Sequence, residues 1–254
     1  MPRGINAYDE GRIQGRNVAN ANSSNIVSPG IVTDGLVMHL DAGNYQSYPI
    51  AGTSWYDLSD RLNNGTLING PTFSSAGGGS IVFDGVNDRG TFASPITASS
   101  PQTYDIWVKA IAGSAGNFGY VLHNNAASSQ IGTAYMVIGY AGSTLQTNEI
   151  FAAFNGAWST MGTGVIGNTT TVRQIVLTWN GSAQTAYIDG IQKVSQSLTS
   201  TPINFSTTTS FADNSFSTVR PINGNIYSIK IYNRAIVADE VSQNFNATRA
   251  RFNI

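Results

Sequence analysis

Short runs that alternate between apolar and polar residues recur along most of this chain and constrain its fold more than any other feature. The first run places Leu36, Met38 and Leu40 on one face, and similar runs follow as far as Ile236, with Gly, Asn, Asp and Pro between them. A period of two is typical of a strand with one buried face. Many short strands separated by turn residues predict an all-β sandwich or barrel.

The other predicted strands have apolar residues at the same spacing: Ile81 and Phe83; Tyr104, Ile106 and Val108; Tyr120 and Leu122; Tyr135, Val137 and Gly139; Ile175, Leu177 and Trp179; Ala186 and Ile188. Asn180-Gly181 and Asp189-Gly190 favour tight turns and predict two consecutive hairpins. Residues 44–80, 111–119 and 197–220 are predicted to be loops, of a length that often carries function.

The end of the chain changes from strand periodicity to helix periodicity. The predicted closing strand buries one face, formed by Tyr227, Ile229 and Ile231. The predicted helix that follows has one apolar stripe, formed by Val237, Val241 and Phe245. Asp239 and Glu240 lie near its start, where acidic side chains favour the positive end of the helix. We therefore expect a short C-terminal helix that clamps the last strand.

Composition excludes several classes of function. The chain of 254 residues is 41% hydrophobic, which suits one large β domain, and only 11% of its residues are charged, with a net charge of -1. No overall field points to nucleic acid. Cysteine is absent, so neither disulfides nor thiolate metal sites are expected.

Residues 1–33 differ from the rest of the chain. They are rich in Asn, Gly, Arg and Ser and lack sustained periodicity, and five of the ten arginines lie in the two ends of the chain. We divide the chain into an arm or tether at 1–33 and a domain at 34–254, with a disordered terminus as the alternative interpretation of the arm. No apolar signal segment opens the sequence and no run approaches a membrane span, so we expect cytoplasmic synthesis without membrane insertion.

Several segments together resemble the laminin-G-like, concanavalin A-like family of jelly-roll domains. They are residues 35–44 (GLVMHLDAGN), 55–59 (WYDLS), 63–67 (NNGTL), 80–88 (SIVFDGVND), 107–109 (WVK), 186–190 (AYIDG) and 232–236 (YNRAI). The resemblance covers most of residues 35–250. It implies a two-sheet antiparallel jelly-roll β-sandwich with a short C-terminal helix, preceded here by an extended N-terminal arm.

The segments LDAGN at 40–44 and QNFNATRARF at 243–252 look like those of domains encoded in tailed-phage structural genes. That resemblance implies a virion structural protein, present in many copies or as a homo-oligomer. We expect it to be attached to other capsid or tail proteins through its arm. Decoration of the particle and adhesion to host-surface glycans, as in a receptor-binding module of a tail fibre, remain alternative functions.

The chain departs from the family at two places. Relatives commonly have Gly-x-Ile-Asp-Glu before the closing strand, whereas this chain has Tyr227 and Ser228 in place of the two acids. Relatives often carry a Trp where this chain has Arg173 and Gln174.

Residues 83–88 pose a choice between a metal site and a turn. Asp84, Asn87 and Asp88 offer oxygen atoms of the kind that Ca²⁺ requires. Asp and Asn next to Gly also form turns with their own backbone, and the two missing acids favour that interpretation. We expect no cofactor and no metal site, with Ca²⁺ as the alternative.

Enzymatic chemistry has little support in the sequence. Retaining glycosidases need two carboxylates on either side of the glycosidic bond, but the three glutamates, Glu10, Glu149 and Glu240, are widely separated. Two histidines without cysteine do not suggest a zinc site. We expect no catalytic residues, and a glycan hydrolase is the less favoured alternative.

Aromatic residues provide the candidate binding site. Trp158 follows the Asn155-Gly156 turn and is the best candidate to stack on a sugar, and Tyr120, His123, Asn124 and Asn125 are predicted to join it. The alternative is that Trp158 packs against the core or an interface. Trp55, Trp107 and Trp179 are predicted to be packing residues.

Overall fold

The computed structural model describes residues 30–93, 101–112, 118–124, 134–139, 150–154, 171–197, 208–213 and 220–254. These residues form two antiparallel sheets packed face to face and one short C-terminal helix. The predicted all-β, two-sheet sandwich is therefore confirmed. No helix in these ranges is long and apolar enough to cross a membrane.

Fifteen strands are described, and they are listed here in chain order. They are β1 Leu36–Asp41, β2 Ser54–Trp55, β3 Gly65–Ile68, β4 Thr72–Ser74, β5 Ser80–Asp84, β6 Arg89–Ala93, β7 Gln102–Ala112, β8 Phe118–Asn124, β9 Ala134–Gly139, β10 Ile150–Phe154, β11 Arg173–Trp179, β12 Ala183–Ile188, β13 Ile191–Ser197, β14 Thr208–Phe211 and β15 Ile222–Tyr232. Helix α1 follows at Ala238–Thr248, and a 3₁₀ helix at Arg249–Phe252 ends the structure.

The two sheets divide the strands between them. The eight-stranded sheet has the order β13-β12-β11-β7-β15-β5-β4, with β1 paired to β15 as well. The seven-stranded sheet has the order β10-β9-β8-β14-β6-β3-β2. Strand β15 is central to the first sheet because its early half pairs with β5, its later half with β1, and its whole length with β7.

The main hydrophobic core lies between the two sheets. The eight-stranded sheet contributes residues such as Leu40, Ile106 and Ile229, all fully buried. From the other sheet, the ring of Phe211 packs against those of Trp55 and Phe92, at centroid distances of 5.8 and 6.0 Å. Such aromatic contacts add specific geometry to the burial of apolar surface.

The two consecutive hairpins are confirmed. Strands β11, β12 and β13 pair in antiparallel order around the turns at Asn180-Gly181 and Asp189-Gly190. Asp189 and Gly190 both have positive φ, 52° and 78°, as a tight hairpin turn requires. Two of the predicted loops are partly wrong, since 44–80 contains β2, β3 and β4, and 197–220 contains β14.

The closing strand is buried on both faces rather than one. Ile229 and Ile231 lie in the core, while Ser228 and Lys230 on the opposite face are only 2% and 1% exposed. The prediction that Tyr227 shares the core face with Ile229 and Ile231 is wrong. A bulge between Ile226 and Ser228 places Ile226 in the core instead. Such a bulge inserts an extra residue and shifts the alternation.

Helix α1 covers that second face, as the predicted clamp. Val241 is fully buried, and Phe245 stacks on the indole of Trp107 at a centroid distance of 5.7 Å. Asp239 and Glu240 lie in the first turn as predicted, and the Glu240 carboxylate accepts a hydrogen bond from the Val237 N–H at 2.9 Å. Val237 itself precedes the helix and is 60% exposed, so the prediction that it belongs to the apolar stripe of the helix is wrong.

Candidate functional site

The structure buries the two predicted glycan-contacting residues whose side chains it describes. Tyr120 and His123 belong to β8 and are 1% and 0% exposed. Their rings meet edge to face at a centroid distance of 4.5 Å. Burial also raises the pKa of the Tyr120 hydroxyl to about 12. Neither ring presents an exposed face on which a sugar can stack.

The other predicted members of the aromatic site are Asn124, Asn125 and Trp158. Asn124 ends β8, where its backbone is paired with Thr209. Trp158 and Asn125 lie outside the described residues, and so does the Asn155-Gly156 turn. The stacking role of Trp158 therefore stays a prediction.

The largest exposed aromatic side chains in the described part of the chain lie elsewhere, on a segment that we call the tyrosine loop (residues 44–64). Tyr45 is 70% exposed and Tyr56 is 45% exposed. Two aliphatic side chains of the same segment, Ile50 and Leu62, are 53% and 77% exposed. The loop thus combines rings with polar tips and apolar surface, the composition found where proteins meet ligands or partners.

The buried carboxylate of Asp57 holds the second half of this loop against β1. Its Oδ1 atom accepts hydrogen bonds from the backbone N–H groups of His39 at 2.7 Å and Ser59 at 2.9 Å. Its Oδ2 atom accepts from the Ser59 hydroxyl at 2.6 Å and from the Asn63 N–H at 2.9 Å. These four bonds fix the residue that directly follows Tyr56.

A second set of hydrogen bonds fixes the first half of the loop. Ser47 accepts a bond from the Tyr56 N–H at its carbonyl oxygen, 2.7 Å away, and its hydroxyl donates to the Tyr56 carbonyl oxygen at 2.6 Å. The Tyr48 hydroxyl donates to the Gly52 carbonyl oxygen at 2.9 Å, and its ring stacks on Phe73. The backbone that carries both exposed tyrosines is therefore held in place before any ligand arrives.

The sequence pointed to this segment only by its length between predicted strands. Tyr45 and Tyr56 gave no separate signal, because tyrosine is as often buried as exposed. Trp55, which directly precedes Tyr56 in the sequence, is fully buried. The predictions that Trp55, Trp107 and Trp179 are packing residues are confirmed, since each is at most 3% exposed.

Residues 84–88 have the hydrogen bonds of a turn. The Asp84 carboxylate accepts from the Val86 N–H at 2.8 Å, and the Asp88 carboxylate accepts from the Asp84 N–H at 3.1 Å. Burial raises the pKa of Asp88 above its usual value. Within the described ranges, no group of three or more His, Cys, Asp or Glu side chains is arranged to hold a metal ion.

A buried polar cluster lies beneath α1, on the outer face of the eight-stranded sheet. The Gln174 side-chain amide donates to both oxygens of Asp105 at 3.1 Å, and the Asn244 amide donates to Asp105 Oδ2 at 3.0 Å. The ammonium group of Lys230 lies 3.5 Å from the same carboxylate. Asp105 and Lys230 are 0% and 1% exposed. Gln174 belongs to one of the two places where the chain departs from the family pattern, and it is thus a hydrogen-bond donor inside the fold.

The same cluster connects the helix to the first described residues. Asn244 Oδ1 accepts a hydrogen bond from the Val32 N–H at 2.8 Å, and the Tyr232 hydroxyl donates to the Val32 carbonyl oxygen at 3.1 Å. The Gln243 side chain donates to the Gly30 carbonyl oxygen at 2.7 Å. Residues 30–33 are therefore packed against the domain.

The sequence matches the family model of the concanavalin A-like lectin/glucanases superfamily over residues 83–242. That match covers more than half of the chain, and the sandwich fold agrees with it. The chain therefore belongs to this superfamily, and its fold is that of a lectin-like binding domain.

Solved structures with the same fold share little sequence with the chain. The binding domain of Paraclostridial Mosquitocidal Protein 1 superposes with a TM-score of 0.57 at 16% identity, over 84% of this chain and 52% of that one. Trypanosoma rangeli sialidase superposes with a TM-score of 0.64 at 15% identity, over 88% of this chain and 34% of that one. The chain thus spans about half of the first and a third of the second.

A third structure matches along nearly its whole length. It is domain 4 of AbnA, a GH43 extracellular arabinanase from Geobacillus stearothermophilus, in complex with arabinotriose. It superposes with a TM-score of 0.58 at 14% identity, over 82% of this chain and 97% of that domain. No curated protein matches the sequence.

Proposed function

We propose that this chain is a non-enzymatic, lectin-like module of a tailed-phage virion, held on the particle through residues 1–33, and that its tyrosine loop binds host-surface glycans. The observation that carries the binding role is the pair of exposed rings, Tyr45 and Tyr56, on a backbone fixed by Ser47 and Asp57. Because this backbone is already ordered, little backbone entropy is lost when a sugar stacks on the rings.

The likeness to other binding domains supports this proposal at the level of fold. One similar structure is the binding domain of a mosquitocidal protein, and another was solved in complex with arabinotriose. A charge-poor surface suits weak sugar contacts that are strengthened when many copies act together. The phage assignment is supported by the LDAGN and QNFNATRARF segments.

Two of the described carboxylates have structural roles. Asp57 accepts four hydrogen bonds within the tyrosine loop, and Glu240 forms a two-point ion pair with Arg234 at 2.6 and 2.7 Å. Neither is therefore free to act as the acid or the nucleophile of a glycosidase, which needs two such carboxylates.

Contact with a second virion protein is the alternative role of the same loop. The exposed aliphatic side chains Ile50 and Leu62 support it, because they offer no hydrogen bonds to a sugar but can enter an apolar pocket. In this version the module decorates or cements the particle.

A glycan array separates these two roles. The full-length chain, fluorescently labelled and multimerised, is compared with a Tyr45→Ser/Tyr56→Ser variant and with a Leu62→Ser variant. If the loop binds glycans, the signals disappear in the Tyr45→Ser/Tyr56→Ser variant and persist in the Leu62→Ser variant. If no glycan gives a signal, or if the tyrosine variant retains it, the glycan proposal is wrong. Ile191→Ser serves as a control, since Ile191 is 61% exposed on β13 outside the loop.

The arm is tested with particles that lack this protein. The full-length chain is expected to bind them, and a chain without residues 1–29 is expected not to bind. The truncation stops at residue 29 because Gly30 and Val32 bond to helix α1 and stabilise the domain. Equal binding of both chains would reject attachment through the arm.

A further inference from the structure

A cavity of about 250 Å³ lies between the outer face of the eight-stranded sheet and the end of helix α1. Its floor includes His39 on β1 and Ser228 and Lys230 on β15, and its walls include Ile31 and Ala247. This volume is large enough for a small organic molecule. None of its lining residues belongs to the tyrosine loop or to the turn at 84–88.

The ammonium group of Lys230 is the most unusual feature of this cavity. The side chain is 2% exposed, and its Nζ atom makes no hydrogen bond to any described residue. The neighbouring Asp105 carboxylate, 3.5 Å away, is occupied by the amide groups of Gln174 and Asn244. Leaving a buried charged donor without an acceptor costs several kcal/mol in general, so these N–H groups need an acceptor from the cavity.

Ser228 provides a second donor beside the first. It lies two residues before Lys230 on the same strand and therefore on the same face. Its hydroxyl is buried and has no hydrogen-bond partner among the described residues. Two residues that line the same cavity thus carry buried donors, and neither donor has a hydrogen-bond partner among the described residues.

The other charged groups of the cavity are already satisfied. Arg251 pairs with Asp41 at 2.7 Å, and its remaining nitrogens donate to the carbonyl oxygens of Gly77 and Gly79. His39 is neutral at physiological pH, because burial and the positive charge of Lys230 lower its pKa to about 4. The Lys230 charge is paired with Asp105, and what remains unsatisfied is the hydrogen-bonding capacity of its ammonium group.

We propose that this cavity is a binding site for a small organic carboxylate, whose oxygens accept hydrogen bonds from the Lys230 ammonium and the Ser228 hydroxyl. The apolar walls at Ile31 and Ala247 contact the carbon skeleton of the ligand. A carboxylate matches this arrangement because it carries several acceptor sites and the opposite charge. The site is independent of glycan binding by the tyrosine loop.

D-glucuronate and D-glucose test the proposal because they share a ring and differ at one carboxylate. The full-length chain is titrated with each by calorimetry at constant ionic strength, and its thermal unfolding is followed in parallel. We expect glucuronate to bind at least tenfold more tightly than glucose and to raise the melting temperature, as a ligand of the folded state must.

Variants locate the binding event. Ala247→Leu fills the cavity from the helix, where leucine is well tolerated, and is expected to abolish glucuronate binding. Ala250→Leu introduces the same side chain at an exposed position just beyond the helix and is expected to retain it. Ser228→Ala removes one donor without leaving a buried charge and is expected to weaken binding about fivefold to tenfold.

Three results would overturn the proposal. They are equal binding of both sugars, no binding of either, or unchanged glucuronate binding by Ala247→Leu. These tests use Ala247→Leu in place of Lys230→Met, because the cavity-filling variant leaves the ion pair between Lys230 and Asp105 intact.

Discussion

Asp105 and Lys230 form a buried ion pair on adjacent strands of the eight-stranded sheet, with 3.5 Å between carboxylate and ammonium. Helix α1 covers them, and Asn244 of that helix donates to Asp105. The pair thus connects the closing strand, the clamp helix and the proposed carboxylate site.

Removing one member of this pair is expected to destabilise the fold strongly. Asp105→Asn leaves the Lys230 charge buried without its partner, and such changes cost about 3–5 kcal/mol. Urea unfolding measures the difference. The double variant Asp105→Asn/Lys230→Met is expected to recover much of the loss, because no buried charge remains. A single variant within about 0.5 kcal/mol of the wild type would contradict this role.

His39 is expected to make stability depend on pH. Its pKa is about 4 in the folded chain, through burial and the charge of Lys230, against 6.5 for the ordinary side chain. Between these values the unfolded chain binds more protons, so the free energy of unfolding falls as pH decreases from 6.5 towards 4.

The size of this effect follows from the shift. One pKa unit corresponds to about 1.4 kcal/mol, so the loss is on the order of 2–3 kcal/mol over that range. Lys230, Asp41, Asp57 and Arg251 surround the ring and are unchanged in His39→Gln. The wild type is expected to lose more stability than this variant on acidification. Parallel curves of unfolding free energy against pH would count against a neutral, half-buried His39.

The close approach of Gly90 to Phe211 predicts a sharp steric effect. A Cβ atom at position 90 would meet the Phe211 ring, which already contacts Trp55, Phe83 and Phe92. Gly90→Ala should therefore destabilise the chain by about 1–3 kcal/mol, measured by urea unfolding. Gly30→Ala is the control, since a Cβ there would contact nothing within 4 Å. Equal stability of the two variants would show that the core around Phe211 rearranges to accommodate the added methyl group.

Asp57 is expected to act on ligand binding without touching the ligand. Its carboxylate accepts four hydrogen bonds that fix the chain next to Tyr56. Asp57→Ala leaves those donors without acceptors, which we expect to cost about 2–4 kcal/mol of stability and to weaken glycan binding at least tenfold.

Rescue distinguishes positioning from unfolding in that variant. Asp57→Asn keeps one of the two oxygen acceptors and should restore part of the binding, measured at a temperature where circular dichroism shows a folded chain. Full binding by a folded Asp57→Ala chain would show that the loop needs no such anchor.

Alternation predicted the strands that have one regular apolar face, such as those containing Met38, Phe83 and Ile106. It did not predict β6 and β14, because Gly90 and Thr209 stand on the same faces as Phe92 and Phe211 and interrupt the apolar pattern. The bulge beside Tyr227 is a consequence of pairing with β7 and has no local signal. The second buried face appears only when α1 covers it.

The candidate sites were harder to predict for a related reason. Exposure of Tyr45 and burial of Tyr120 depend on distant segments, although both are tyrosines near predicted strands. The polar cluster joins residues far apart in sequence: Gln174 follows Asp105 by 69 residues and Asn244 follows it by 139. Only the fold shows that these groups share one buried space.

The most direct test of the proposed function is the affinity of a glycan selected on the array, measured by calorimetry for the wild type and for ring variants. Tyr45→Ala and Tyr56→Ala are each expected to bind about tenfold more weakly, because a stacked ring contributes about 0.5–1.5 kcal/mol beyond its buried area. Tyr45→Phe and Tyr56→Phe keep the rings and are expected to bind within about threefold of the wild type. Wild-type affinity in both alanine variants would contradict glycan binding by the tyrosine loop.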